Sequence, residues 1–334
     1  MSGITDIARI SGFSVGTVSR ALSGNKHVDA KTRSIILKCA EENNYSPNYF
    51  AQNLKAKKSD TIAYLIPDIE NMIYPPLVSV IEKEARKLGY SLLLCNTFND
   101  LELAGKYISQ FKSRNVDGFL ISTAFDATLN NENILSLKKE GYPTVCLLRH
   151  SPDNKDSILV DNFQGAEMAV DYLVSKGLKK IAFIAGDSNL TLYKERFNGY
   201  ISGLEKNGIS FDEQLIWQGI RDIERIAFSE VKKKLKAGYI PDAIFGSSDP
   251  LAIDAMKAVF DVGYHVPNDI SVIGFDNLPI SEMLNPGLTT IEQPFAKMGR
   301  EAVTRLIRQI EDKATIGQPN EVFDPNIVIR HSVK

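Results

Sequence analysis

Beyond Asp60 the chain alternates short, nearly continuous apolar runs with amphipathic stretches. Strand-like runs fall at 61–67, 91–97, 118–123, 144–148 and 157–161, then at 180–186, 215–219, 243–248, 270–276 and 288–293, with NIVIRHSV (326–333) as a last strand. Helical patterns such as 76–89 and 250–263 lie between them. Strands that are apolar on both faces and bracketed by helices predict parallel sheets covered on both sides. The series repeats: Val116-Asp117-Gly118-Phe119-Leu120-Ile121-Ser122 resembles Pro241-Asp242-Ala243-Ile244-Phe245-Gly246-Ser247. Two similar α/β lobes in tandem place a ligand cleft between them, beyond the carboxyl ends of the strands.

The first 45 residues have a different period. ITDIARISG reads as a short helix with Thr5 as cap and Ile4, Ile7 and Ala8 on one face. Gly12-Phe13 makes a turn, and Ser14 caps a second helix running to about Leu22, with Val18, Ala21 and Leu22 inward and Gly24-Asn25 ending it. Asp29 caps a third helix that turns Ile35, Ile36, Cys39 and Ala40 towards Tyr45. This spacing is that of a helix-turn-helix, with a generic three-helix bundle as the alternative. Gly12-Phe13-Ser14-Val15-Gly16 also has the G-x-S-x-G spacing of a hydrolase nucleophile elbow. An elbow needs a buried strand and an oxyanion loop upstream, and only thirteen residues precede Ser14. After Ser46-Pro47-Asn48, NYFAQNLKAKK offers a short basic helix, too small to be stable alone. It suits a segment that folds against DNA, or an ordinary linker.

Charge sharpens the division. Residues 1–58 hold nine Lys or Arg against four acids, a net +5, while the rest carries −7 within a chain total of −2. A basic head on an acidic body suits a tethered nucleic-acid reader; a solvated charged face would look the same. Cys39, Cys95 and Cys146 form no C-x-x-C pair and read as free thiols of a reducing cytosol. The N-terminus has no cationic start followed by an apolar run, and no apolar run approaches the ~18 residues of a membrane span, so a cytoplasmic protein without membrane contact is expected. G-x-G-x-x-G after a strand, Walker, H-E-x-x-H and EF-hand patterns are absent, so no cofactor or metal is expected. A solute receptor with the same body, or an α/β enzyme, remain the competing classes; the basic head counts against both.

ITDIARISGFSVGTVSRALSGNKHVDAKTR, NYSPN followed by AQNLK, VPNDISVIGFDN and LTTIEQP together resemble the LacI/GalR transcriptional regulators along essentially the whole chain. The resemblance implies a helix-turn-helix domain (1–45), a hinge helix and linker (46–59) and a body (60–334) of two doubly wound parallel-sheet lobes. That body is periplasmic-binding-protein-like (type I), with lobes 60–160 plus 291–321 and 161–290 plus 322–334. It also implies a ligand-responsive repressor, not an enzyme, binding a pseudo-palindromic operator of a carbohydrate operon. Family tetramers carry a C-terminal heptad helix; this chain stops at Lys334, so a homodimer is expected.

The DNA contacts implied are Thr5, Ser14, Val15, Gly16, Thr17, Ser19, Arg20, His27, Lys31, Thr32, Tyr45, Asn48, Ala51, Gln52, Leu54 and Lys55. Val15, Gly16 and Arg20 fall where bases are read, and Ser14, Thr17 and Ser19 where phosphates are met. His27, Lys31 and Thr32 fall near the backbone. Leu54 is the minor-groove wedge. The effector contacts implied are Ile73, Tyr74, Arg149, Asp161, Arg196, Arg221, Ser248, Asp249, Asp276 and Gln293. Two positions depart from lactose- and purine-type members: Leu148-Arg149 replaces an acid and its neighbour, and Gly219-Ile220-Arg221 replaces a stacking aromatic. Arg149 and Arg221 beside Arg196 make a cationic cleft, which points to an anionic effector such as a sugar phosphate or sugar acid.

Overall fold

The computed structural model describes residues 3–22, 27–45, 58–122, 132–219 and 226–334. They fall into two compact units that meet in sequence at Ser59 and Asp60.

The first unit contains α1 (Ile4–Ser11), α2 (Val15–Leu22) and α3 (Ala30–Glu42). Their apolar faces close over Ile7, Ala8, Val18, Ala21, Ile36 and Cys39, with Phe13 and Tyr45 packed against that core. α1 stops at Gly12, whose φ of 75° a side chain would strain and whose N–H still bonds Ala8. Ser14 caps α2, its Oγ accepting the Thr17 N–H at 3.2 Å. Asp29 does the same for α3, accepting from Thr32 at 2.9 Å, and those bonds hold its carboxyl below the usual range.

Two expectations fail here. Thr5 is not a cap but an exposed residue inside α1; the helix begins after Gly3, whose N–H donates to Asp6 at 2.9 Å. Ile35 is 43% exposed, because at 100° per residue Ile36, Cys39 and Ala40 share the inward face and Ile35 lies one step off it. Gly24 and Asn25 lie outside the described residues.

The second unit opens with β1 (Thr61–Ile66), α4 (Tyr74–Lys87), β2 (Ser91–Asn96), α5 (Leu101–Ser113), β3 (Gly118–Ile121), α6 (Glu132–Lys139), β4 (Thr144–Leu147) and β5 (Ser157–Val160). It continues with α7 (Asn162–Ser175), β6 (Ile181–Ala185), α8 (Thr191–Lys206), β7 (Ile216–Gln218), α9 (Ile226–Lys236), β8 (Ala243–Gly246), α10 (Asp249–Asp261), β9 (Ser271–Asp276), α11 (Pro279–Met283) and β10 (Thr289–Glu292). Last come α12 (Phe295–Glu311), β11 (Glu321–Phe323) and β12 (Asn326–Val328). Two six-stranded sheets result, ordered β11-β5-β4-β3-β1-β2 and β12-β10-β9-β8-β6-β7. All pairings are parallel except the antiparallel β12 edge.

β3 and β8 occupy the same place in the two sheets, and the aspartates before them do the same work. Asp117 accepts the Thr61 N–H at the start of β1; Asp242 accepts the Lys179 and Lys180 N–H groups at the start of β6. The repeat is thus structural. The lobe boundaries expected after residues 290 and 321 each cut a strand: β10 pairs with β9 through Glu292, and β11 pairs with β5 through Phe323. The chain therefore crosses between lobes at 160–161, at 293–294 and at 324–325. Strand-like composition does not say which sheet a strand joins; pairing decides. α12 returns to the first lobe, burying Met298, Ala302, Val303, Leu306 and Ile307 against β1, β3, β4 and β5.

Candidate functional site

In the head, the Ser14 cap fixes where α2 begins and therefore what its outer face shows. Ser14, Val15, Gly16 and Arg20 are exposed, Thr17 and Ser19 partly so, while Val18 and Ala21 point inward. Val15, a β-branched apolar side chain, is 43% exposed at the very start of the helix. Arg20 lies along the same face, its Nε donating to the Gly16 carbonyl at 3.1 Å. Exposed His27 precedes α3, and Lys31 and Thr32 occupy its first turn. Tyr45 is half-buried on the head core. Asn48, Ala51, Gln52, Leu54 and Lys55 lie outside the described residues.

In the body, a cleft with a cavity of about 60 Å³ opens where the carboxyl ends of both sheets face each other. Seven expected residues line it: Ile73, Tyr74, Arg149, Arg196, Ser248, Asp276 and Gln293. Arg196, one turn into α8 and only 3% exposed, is its centre. Its Nε donates to Asn162 Oδ1 (2.9 Å), its Nη1 to the Ser247 carbonyl (2.6 Å), and its Nη2 lies 3.3 Å from Asp276 Oδ1. The guanidinium also lies 3.6 Å from the Phe275 ring centre. Gln293 donates to the same Asp276 oxygen at 2.6 Å. Burial raises the Asp276 carboxyl, and Arg196 opposes the rise. Burial likewise lowers the Arg196 guanidinium and pushes the Tyr74 hydroxyl up to about 12.

Two strained backbones aim side chains into this cleft, one from each lobe. Leu148 has φ 63° and Asp276 φ 123°, conformations that cost a non-glycine residue roughly 1–3 kcal/mol. The Leu148 turn delivers Arg149. Its Nη1 donates to the Leu148 carbonyl at 2.9 Å, but its buried Nε has no hydrogen-bond partner. His150, next along, meets Glu195 of α8 at 3.0 Å, and Glu195 in turn accepts from Asn162 at 2.9 Å. A polar chain thus runs from the first lobe into the Arg196 cluster.

Two expected effector residues, Asp161 and Asp249, do not line the cleft. Asp161 is the cap of α7, its carboxylate turned back to accept the Gln164 N–H at 2.8 Å. Asp249 is buried behind the cleft, accepting from the Leu278 N–H (2.8 Å), the Ser281 hydroxyl (2.6 Å) and the Thr290 hydroxyl. Burial, reinforced by Asp276, raises its carboxyl to about 7. Arg221 lies outside the described residues. Sequence reasoning missed Asn71, Asn162, Leu192, Tyr193 and Pro250, which the cleft includes. Tyr193 was findable: it stands three residues before Arg196, on the same helical face.

Residues 3–48 match the family described as "Bacterial regulatory proteins, lacI family", and residues 170–333 match a "Periplasmic binding protein-like domain". The chain is 32% identical to the HTH-type transcriptional repressor PurR of Pasteurella multocida, over 100% of this chain and 99% of that one. It is 34% identical to the HTH-type transcriptional regulator DegA of Bacillus subtilis, over 98% and 97%. Among solved structures it is similar to the lac repressor dimer bound to operator and the anti-inducer ONPF, with a TM-score of 0.88, 27% identity and 99% and 98% of the two chains covered. These relatives are regulators rather than enzymes. Among the described residues, no helix is long and apolar enough to cross a membrane. A helical head with an exposed, capped α2, a two-lobed body around a polar cleft and full-length relatives converge: the chain belongs to the lacI family of bacterial regulatory proteins, DNA-binding transcriptional regulators with a periplasmic-binding-protein-like ligand domain.

Proposed function

We propose that the protein represses a carbohydrate-metabolism operon as a homodimer on a pseudo-palindromic operator, and that a small anionic, hydroxylated effector in the body cleft controls it. The observation that carries the effector reading is Arg149: a cleft-lining guanidinium whose buried Nε has no hydrogen-bond partner. Leaving such a donor unmet is costly, and an oxyanion satisfies it. Asp276, Asn162, Gln293 and Ser248 supply acceptors and donors for hydroxyls. The effector acts by shifting the population of lobe arrangements, to the extent that it binds them unequally. A panel of neutral sugars, sugar acids and sugar phosphates, scanned by thermal unfolding, tests this reading: only anions should raise the midpoint.

For DNA, α2 enters the major groove, with Val15, Gly16 and Arg20 reading base edges and Ser14, Thr17 and Ser19 holding phosphates. Residues 46–59 act as the hinge that pairs across the operator centre. Arg20→Ala should weaken operator binding by about 1–3 kcal/mol and relax discrimination at one base pair. Competition between operator and base-substituted duplexes measures both. A uniform loss on every duplex would show that Arg20 only holds phosphate. Operator affinity itself should fall steeply with salt.

The dimer reading draws support from β2. This edge strand leaves Leu93 (37%) and Leu94 (42%) exposed, with Phe98 just beyond it. An exposed apolar edge invites pairing with another chain, and a second copy of this protein covers it. Leu94→Asp should therefore shift sedimentation from dimer to monomer and weaken operator binding together. A dimer that survives the change would place the interface elsewhere.

A further inference from the structure

The effector reading above leaves the anion's chemistry open, and the cleft narrows it. Resting on that reading, we infer that the effector presents one carboxylate, borne on a hydroxylated body, side-on to Arg149, and that the site selects against a phosphate ester of the same body.

Geometry supplies the first reason. With Nη1 engaged by the Leu148 carbonyl, the edge left to a ligand is formed by Nε and Nη2. The two N–H bonds of that edge run parallel, in the same plane, at the spacing of the two oxygens of a carboxylate. The buried Nε marks this edge as the unsatisfied one.

Charge supplies the second. Of the charged residues lining the cleft, Arg196 is already matched by Asp276 at 3.3 Å. Among the described residues lining the cleft, Arg149 is then the cation without an acid partner, and one negative charge balances it. A phosphate ester carries about −1.5 to −2 at neutral pH. Its surplus charge would sit close to the Asp276 and Glu195 carboxylates, in surroundings where charges are poorly screened.

The helix starts supply the third. Phosphate sites in α/β folds usually draw on the free N–H groups and positive dipole at a helix N-terminus. Here three of the four helices that begin at the cleft are blunted. α4 begins Tyr74-Pro75-Pro76 and α10 begins Asp249-Pro250, so amide donors are missing where a phosphate would want them. α7 is capped by the Asp161 carboxylate, while α8 has neither a side-chain cap nor an acid in its first turn. Prolines and a capping acid at three of these starts remove donors that a tetrahedral group would want. A carboxylate needs no more than the Arg149 fork; a tetrahedral group with three free oxygens does.

The test uses the full-length protein with labelled arginine side chains, following the Arg149 Nε–H resonance, assigned by its loss in Arg149→Lys. Two matched probe sets keep the body constant: D-glucuronate, D-glucose 6-phosphate and D-glucose; and D-glycerate, glycerol 3-phosphate and glycerol. The expected result is that the carboxylate member of at least one set moves the resonance at about tenfold lower concentration than its phosphate counterpart. Arg149→Lys, which keeps the charge and loses the fork, should reduce that preference when the same two sets are compared by thermal unfolding, since the variant lacks the Arg149 resonance. If the phosphate member acts at the lower concentration, the carboxylate inference falls while the anionic-effector reading stands. If only the neutral members bind, or no member of either set moves the Arg149 signal, both fall.

Discussion

Arg196→Met is expected to lower the unfolding midpoint by roughly 10 °C and to abolish any effect of the effector on operator affinity. The side chain is 3% exposed and meets Asn162, the Ser247 carbonyl, Asp276 and the Phe275 ring at once. Methionine fills much of the volume but leaves the Asp276 carboxylate buried without its cation. Removing one member of a buried pair typically costs about 3–5 kcal/mol, and in a domain this large each kcal/mol shifts the midpoint by about 2–4 °C. The head's core does not draw on this cluster, so salt-sensitive binding to non-specific DNA should survive. Calorimetry and an operator titration with and without effector read the two outcomes separately. An unchanged midpoint would mean that Asp276 finds another partner. A retained effector response would remove Arg196 from the ligand's contacts.

Asp249→Ala should destabilise the body by about 3 kcal/mol or more without removing any group that lines the cleft. It would orphan three donors: the Leu278 N–H and the hydroxyls of Ser281 and Thr290, which tie α10 to the segment after β9 and to β10. Gly274 belongs to the same knot, since a Cβ there would stand 2.3 Å from Asp249 Oδ1. The pH dependence separates charge from packing. Burial and Asp276 raise the folded-state carboxyl of Asp249 from 3.8 to about 7. A group raised in the folded state contributes stability that is fully present below its unfolded pKa, near 4, and is lost as pH rises through the folded value. Wild-type stability should thus decline between about pH 4 and 7 on this account. Asp249→Asn, which resembles the protonated carboxyl, should flatten that part of the profile in denaturant titrations. Parallel profiles would show that Asp249 stays ionised throughout.

The two-lobed architecture was legible because parallel strands covered on both faces must be apolar nearly throughout, and runs such as 61–67 and 270–276 stand out against the helices around them. β11 gave no such signal. Glu321–Phe323 is a partly exposed edge strand, so its residues are not forced to be apolar. The cleft was legible where a residue's chemistry and orientation agree, as at Arg196, Asp276 and Gln293. It was misread where one residue's rotation decides. Asp161 turns back to cap α7 while Asn162 faces the cleft, and Ser248 and Pro250 line the wall while Asp249 between them points into the core. The unsatisfied edge of Arg149 could not be read from composition at all, since a pairing partner is a fact of three dimensions.

The three crossings between lobes also set the order in which a growing chain can fold. The head's core is complete within residues 4–45 and can form as soon as that stretch is clear of the ribosome. Neither lobe has that freedom. One face of the first sheet is covered only in part, by α4, until Met298–Ile307 arrive over β1, β3 and β4, and the second lacks its β12 edge until residue 328. At a synthesis rate of about 5–20 residues per second, a folded head would precede a complete body by ten seconds or more. A message cut short before codon 328 would release a folded head on a body whose second sheet lacks its β12 edge.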